Sequence, residues 1–443
     1  MKIPWILLAA LPMGWAADGA RAPLPLSLKR AVELALSPEG STNIQLSAEA
    51  LKQAEEKQLE SRAALLPDVE SSVVYRSQTE NLAALGISGI ALPIPGFHFP
   101  TFVGPFDTFD ARLTANQSIF DFSSIRRFQS SKAGVSAARQ DAENTGEQVA
   151  AQVARAYLAA LKAEADAETA QANVTLSEAV LTQTNNQKIA GTGTGIEITR
   201  AKVQLANDRQ HLLEAQNALR AARLRLLRAI GLRLDTDVQL TDRMAYVPVD
   251  AVMLEQAKAQ AIQTRPDFKA QQQRESTARL SASATKLERV PTVGAFGDYG
   301  TIGSGLNNAL PTREFGIQVK VPLFDGGRRD ARRVEAESQF HAEQVRTNDL
   351  KEQIELDVRL ALDSLQSAED EVKVARDGLE LAQNELAQAR RRYEAGVTNS
   401  IEVTDAQTRL ERARDNQTAA VYAHNVARID LAQAMGRVRS TVR

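Results

Sequence analysis

Apolar residues recur at alternating spacings of three and four over long stretches of this chain. Val372, Ala375, Leu379, Ala382, Leu386, Ala389 and Tyr393 follow that rhythm. So do Ala406, Leu410, Ala413, Gln417, Ala420, His424 and Ala427. An earlier run repeats it: Ala201, Leu205, Asp208, Leu212, Ala215, Leu219, Ala222, Leu226 and Ala229. This is the seam of helices packed as a coiled coil, and its alanines let neighbouring backbones come close. Residues 328–394 hold few helix breakers. As one helix they would run roughly 100 Å at about 1.5 Å per residue. Such a rod must line a tube or span a gap.

Four other segments alternate with period two. Val69, Ser71, Val73 and Tyr75 oppose Glu70, Ser72, Val74, Arg76 and Gln78. Phe109, Ala111, Leu113, Ala115 and Ile119 oppose Asp110, Arg112, Thr114, Asn116 and Ser118. Phe315, Ile317, Val319, Val321 and Leu323 oppose Glu314, Gln318 and Lys320, while Val293, Ala295 and Tyr299 oppose Asp298. The pattern predicts strands at about 68–80, 109–121, 292–302 and 313–324. It matches barrel strands with a lipid face and a wet face, although a soluble sheet with one buried face alternates in the same way. In lipid, an open four-stranded sheet would leave two edges of unpaired amides, each group costing several kcal/mol. Closure then requires a homo-oligomer of eight, twelve or sixteen strands.

Residues 82–106 contain no acidic residue, lysine or arginine, but four prolines and four glycines argue against a membrane helix. They read as the loop between the first two strands.

The elements come twice. Gly191 and Gly396 are separated by 205 residues, and so are Thr199 and Thr404, Leu205 and Leu410, and Gly231 and Gly436. Phe120-Asp121 and Phe324-Asp325 are separated by 204, and Pro67 and Pro291 by 224. A sustained offset marks an internal duplication, with about twenty extra residues between the strands of the first copy. The copies are placed at 23–245 and 246–443. Each reads as two strands and a helical hairpin, the hairpins at about 123–231 with a tip near 191 and about 328–440 with a tip near 396.

Composition narrows the chemistry. The 443 residues include no cysteine, which excludes disulfides, thiolate metal sites and a cysteine nucleophile. A formal charge of −2 argues against a nucleic-acid partner. Aromatics at 5% suit closely packed helices better than a thick core. The start, MKIPWILLAALPMGWAA, reads as a cleaved signal peptide, residues 1–17. His98, His211, His341 and His424 lack metal-ligand spacing. His424 falls on an alanine seam and reads as a packed or solvated side chain. GTGTG at 191–195 has no Lys-Ser/Thr after it and no strand before it, unlike a phosphate loop. No acid/base pair stands out. No catalytic, cofactor-binding or metal residue is assigned, and the chain does not read as an enzyme.

The duplication, the junction VPLFDGGRRDARR at 321–333, and the paired tips KIAGTGTGIEITRAKVQL and RYEAGVTNSIEVTDAQTRL resemble the TolC family of outer-membrane efflux proteins. The resemblance covers essentially the whole chain after the signal. It implies a mainly helical fold with a membrane β-barrel portion. In a homotrimer, twelve strands form the outer-membrane barrel and twelve helices a periplasmic tunnel, with the 82–106 loop outside the cell. It also implies a periplasmic adaptor, an inner-membrane efflux or secretion transporter and outer-membrane lipid as partners. The turns Gly191, Gly193, Gly195, Gly396, Val397 and Thr398 would face the adaptor.

Tyr393 and Asp405 match the family's tip pattern, Glu402 replaces its typical aspartate, and Glu197 places an acid at the equivalent position of the first tip. These four are the candidate periplasmic gate, in which Glu402 and Asp405 would gather on a narrow axis and favour cations. Alternatively, those two acids merely start a helix. Thr398 stands where an arginine can occur, so one tip bond is expected to be absent, and the glycine-rich first turn is expected to be looser than the second. At the junction, Phe324 would end a strand, Asp325 would cap the next helix, and Gly326 and Gly327 would permit the change of direction. Small-molecule efflux and type I protein secretion share this architecture. A periplasmic coiled-coil adaptor is the competing class, disfavoured by two full copies with strand pairs.

Overall fold

The computed structural model describes residues 23–86, 95–96, 99–249, 253–398 and 400–442. The expected signal peptide and part of the 82–106 loop lie outside them. The chain is mainly helical and divides into two compact units. One holds the described residues of Met1–Leu46, Asn144–Arg265 and Ile354–Arg443; the other holds Ser47–Glu143 and Pro266–Gln353. Each unit therefore draws on both sequence copies.

In the second unit, β2 (Asp68–Asn81), β3 (Phe102–Phe120), β5 (Thr292–Gly303) and β6 (Leu310–Lys320) form one antiparallel sheet in that order. Between its two register shifts the pairing places the apolar odd-numbered positions on one face. Val73 pairs with Ala111, Leu113 with Tyr299, Ala295 with Ile317, and Val293 with Val319. This face is exposed: Val73 at 68%, Phe315 at 72%, Ile317 at 71%. The other face carries most of the charges, and there Arg112 binds Asp110 at 2.6 Å and approaches Asp298 at 3.6 Å. Two glycines lie under rings. Phe315 covers Gly297 and Phe296 covers Gly316, so a Cβ at either glycine would come within 2.6 Å of a ring carbon.

Two strand ends differ from the sequence expectation. β3 begins at Phe102, not 109, because the Gly104-Pro105 step hides the alternation of its first turn of pairing with β2. The loop is accordingly shorter than 82–106. β6 ends at Lys320, not 324, because Pro322 has no N–H to continue a ladder. Phe324 therefore does not end a strand; it lies in the connecting loop, 89% exposed.

The helices of this unit are joined through α6 (Pro266–Leu287). Arg274 on α6 binds Asp141 on α3 (Phe122–Ile189) at 2.6 Å. Gln271 binds Glu343 on α7 (Arg328–Glu394) at 2.7 Å. Helix α2 (Thr42–Ala63) has no buried residue in the single chain.

The first unit holds the main core. β1 (Leu24–Leu26) pairs in parallel with β4 (Val238–Leu240), and α1 (Leu28–Ala35) follows under a Ser27 cap. Leu26 and Leu240 from these strands pack with Ala150, Val153 and Tyr157 of α3, and with Leu226 and Ile230 of α4 (Gly195–Ile230). Ile429 and Ala432 of α8 (Ser400–Ala434) complete the cluster. The Tyr157 hydroxyl lies 2.9 Å from both the Leu26 carbonyl and the Asp242 carboxylate. Burial, then the hydrogen bond to Asp242 and its charge, push its pKa well above the usual tyrosine value. After α8 the chain reverses at Gly436 and α9 (Val438–Thr441) docks with Val438 fully buried. Helix α5 (Leu254–Thr264) binds α7 through Lys258 and Glu355.

Candidate functional site

The sequence reading places function at the two hairpin tips, both in the first unit. At the first, α3 ends at Ile189 and α4 starts at Gly195; at the second, α7 ends at Glu394 and α8 starts at Ser400. Both helices end the same way. Gly191 has φ +79° and Gly396 φ +69°. The Gly191 N–H donates to Lys188 at 3.0 Å and the Thr192 N–H to Gln187 at 2.9 Å. The Gly396 N–H donates to Tyr393 at 3.0 Å and the Val397 N–H to Arg392 at 3.0 Å. This is the Schellman pattern, which needs a residue able to adopt positive φ at the turn.

The first turn, expected to be the looser, ends its helix with the same pair of bonds as the second. Both connections are five residues long. Gly193 adds a bond of its own to the Gln187 carbonyl at 3.0 Å, and a Cβ on it would reach the Lys188 backbone nitrogen at 2.9 Å. Its lack of a side chain serves close packing. Gly195 opens α4 in open space.

Among the described residues the gate candidates do not form one cluster. Glu402 lies in the first turn of α8 and binds Arg392 of α7 at 3.1 Å. Its other oxygen accepts the Thr398 hydroxyl. The tip bond expected to be missing at Thr398 is thus replaced: Thr398 and Arg392 together hold Glu402. Asp405 is exposed one turn further along α8. Glu197 turns back to accept the Thr194 N–H at 2.8 Å and caps α4. The Tyr393 hydroxyl donates to Oε1 of Gln187 on α3, which ties the second hairpin to the first. Burial, then the Glu197 charge, raise the Tyr393 pKa. Gln187 and Arg392 were missed in the sequence. Their signal was available, since both stand at the same place four residues before the tip glycine.

Beneath the second tip, Ala382, Leu386 and Ala389 of α7 pack on Val403, Ala406 and Leu410 of α8. The junction residues act locally. Asp325 accepts the Arg329 N–H at 3.1 Å, and Gly326 and Gly327 have φ +71° and +85°. In the first copy Asp121 accepts the Ser124 N–H at 3.1 Å.

Comparison with known proteins decides the family. Residues 36–232 and 258–437 match the model of the outer membrane efflux protein family. The chain belongs to that family. It is an outer-membrane efflux protein. It is 22% identical over 325 residues to the alkaline protease secretion protein AprF of Pseudomonas aeruginosa, covering 72% of this chain and 67% of that one. It is also 22% identical to the pyoverdine export outer membrane protein OpmQ of Pseudomonas putida, covering 74% and 70%. The fold is similar to that of the outer membrane protein VceC of Vibrio cholerae, with a TM-score of 0.78 at 17% identity over 93% of this chain and 96% of that one. Among the described residues no helix is long and apolar enough to cross a membrane, and no group of three acidic or histidine side chains is placed to hold a metal.

Proposed function

We propose that three copies of this outer-membrane efflux protein form a passive exit duct. Twelve pooled strands cross the outer membrane, and the paired hairpins of all three copies enclose a periplasmic tunnel. The observation that carries this is the two-faced sheet. Its apolar face is exposed in the single chain, its opposite face is charged, and β2 and β6 pair on one side only among the described residues. In hydrocarbon those edges demand a partner, and copies of the same sheet supply one. The bare α2 helix, with no residue buried in the single chain, also suits a surface that other copies cover.

In this reading the two repeats, 23–245 and 246–443, follow a signal removed near residue 17. The turns at Gly191, Gly193, Gly195, Gly396, Val397 and Thr398 meet a periplasmic adaptor that links the duct to an inner-membrane transporter. Tyr393, Glu402, Asp405 and Glu197 set the resting aperture. Asp405, exposed on the first turns of α8, is the member with a carboxylate left for ions in transit.

Detergent-purified protein should run as a heat-modifiable trimer and conduct ions in a planar bilayer. A monodisperse monomer that stays soluble without detergent would overturn the duct. Asp405→Ala should lower cation selectivity, and unchanged selectivity removes Asp405 from the gate. Small-molecule efflux and protein secretion divide along the two relatives, one named for pyoverdine export and one for protease secretion. The class of inner-membrane transporter that co-purifies with the trimer separates the two.

A further inference from the structure

Segment 241–249 connects the end of β4 to the second copy, and three consecutive residues of it are clipped to the α7–α8 pair. Met244 packs against Val372, Ala420 and Val421. The Ala245 carbonyl accepts Nδ2 of Asn425 at 2.9 Å. The Tyr246 ring lies 4.6 Å from the ring of His424, tilted by 46°. His424 is 1% exposed, and its Nδ1 has no hydrogen-bond partner among the described residues. The corresponding position of the first hairpin, 205 residues earlier, is Leu219. Packing alone is therefore met by an aliphatic side chain there, while the clipped position carries a titratable one.

A neutral imidazole can be buried in such a place; an imidazolium cannot without cost. Both its nitrogens become donors, and a buried donor without an acceptor is penalised. The charges around the ring add to this. On its own helix, Arg428 sits one turn away, half-buried, donating to Asn425 at 3.1 Å. From α7, Glu369 opposes it, but Glu369 is already bound to Lys373 at 3.2 Å. From segment 241–249 the ring meets Tyr246, and Arg243 of that segment is exposed.

We propose that His424 is a proton-operated clasp: neutral, it holds residues 244–246 against α7–α8, and charged, it releases them. The clasp stands on contacts within one chain and does not depend on the trimer. Burial, then Arg428, hold the histidine below its ordinary pKa, with Glu369 partly offsetting them. Once released, the ring returns to the ordinary value of about 6.5. The open form therefore binds the proton more readily than the closed form. The clasp is at full strength above about pH 6.5 and weakens as pH falls through the lower, clasped value. Within that window the closed-to-open ratio drops up to about tenfold per pH unit.

Hydrogen–deuterium exchange on the detergent-purified full chain tests this, with protection of segment 241–249 corrected for intrinsic rates and read at pH 7.5 and 5.5. The wild type should lose protection there severalfold on acidification, while the core segment 149–161 keeps its own. His424→Leu, and His424→Phe as a second variant that keeps a ring beside Tyr246, should show equal protection at both pH values. Equal protection in the wild type overturns the clasp. So does an acid-dependent loss that persists in the variants or that the core segment shares.

Discussion

At position 392 the second hairpin carries arginine; 205 residues earlier, at 187, the first carries glutamine. The acids that follow, Glu402 and Glu197, occupy equivalent places, and the backbone turns between them share one hydrogen-bond pattern. Yet the side chains are wired differently. Arg392 binds Glu402 inside its own hairpin. Gln187 accepts the Tyr393 hydroxyl from the other hairpin, and Glu197 caps its own helix. A repeated backbone thus carries two kinds of contact: one tip is closed on itself, and the other offers an acceptor to its neighbour. The asymmetry lets two hairpins from one duplicated plan hold each other.

The seams differ in the same spirit, and here the largest effect is expected. In the first hairpin Asp208 is 4% exposed, bound by the Ser177 hydroxyl and by Nε2 of Gln204 at 2.9 Å. The equivalent pair in the second hairpin is Ala382 and Ala413, and Ala413 packs against the cluster that contains Ala382. Ser177→Ala leaves the buried carboxylate short of a donor, at a cost of about 1–3 kcal/mol. Adding Asp208→Ala to it recreates the alanine pair and should recover most of that loss. Guanidinium unfolding midpoints in detergent measure both; a double variant no better than the single one would show that the seams are not equivalent. The first seam also charges the second hairpin. The Glu411 carboxyl on α8 is pushed up to about 7, by burial first and then by Asp208 and Asp415, against His211 and Arg414. A raised acid holds its proton longer when folded, so stability should decline as pH rises from about 4.3 to about 7 and then level off. In the double variant that decline should end at lower pH.

The seams themselves were legible because helical spacing is local. Every residue of the runs Ala201–Ala229, Val372–Tyr393 and Ala406–Ala427 read as seam is buried or half-buried. The strands were legible where charge and bulk alternate, and illegible where Gly104-Pro105 breaks the alternation at the start of β3. At the tips, the turn glycines announced themselves. The partners of Glu402 and Tyr393 did not, for two reasons. The family's tip pattern has its arginine after the glycine, whereas Arg392 precedes it. The Tyr393–Gln187 bond joins residues 206 apart on different hairpins, and no periodicity within one helix encodes that.

The shared turn geometry makes a sharper, smaller prediction. Among the described residues, no atom beyond the chain neighbours lies within 4 Å of where a Cβ would stand on Gly191 or Gly396, so an alanine there meets the backbone penalty of positive φ. That is about 1–2 kcal/mol. Gly191→Ala and Gly396→Ala should therefore cost the same. A first tip that tolerated its alanine clearly better would be the looser turn that GTGTG suggests from composition alone.

The smallest effect tests the wiring itself. Gln187→Arg gives the first tip the residue that the second tip has. An arginine at 187 can reach Glu197 as Arg392 reaches Glu402, and it has no acceptor to offer the Tyr393 hydroxyl. The link between hairpins is then lost, at about 0.5–1.5 kcal/mol for one hydrogen bond. A partly exposed ion pair within the first hairpin returns about 0.2–1 kcal/mol. The two nearly cancel, so stability is a poor readout and the Tyr393 titration is a good one. In the wild type, burial and the Glu197 charge raise the tyrosine's pKa. A guanidinium beside it favours the phenolate, so the pKa should fall. Ultraviolet titration of Gln187→Arg against a Gln187→Arg, Tyr393→Phe control should show one tyrosine ionising at lower pH than in the wild type. Bilayer conductance of the same variant should rise, because the hairpins are no longer tied at the tip. A lowered pKa with unchanged conductance would mean that the Tyr393–Gln187 bond joins the hairpins without governing the aperture.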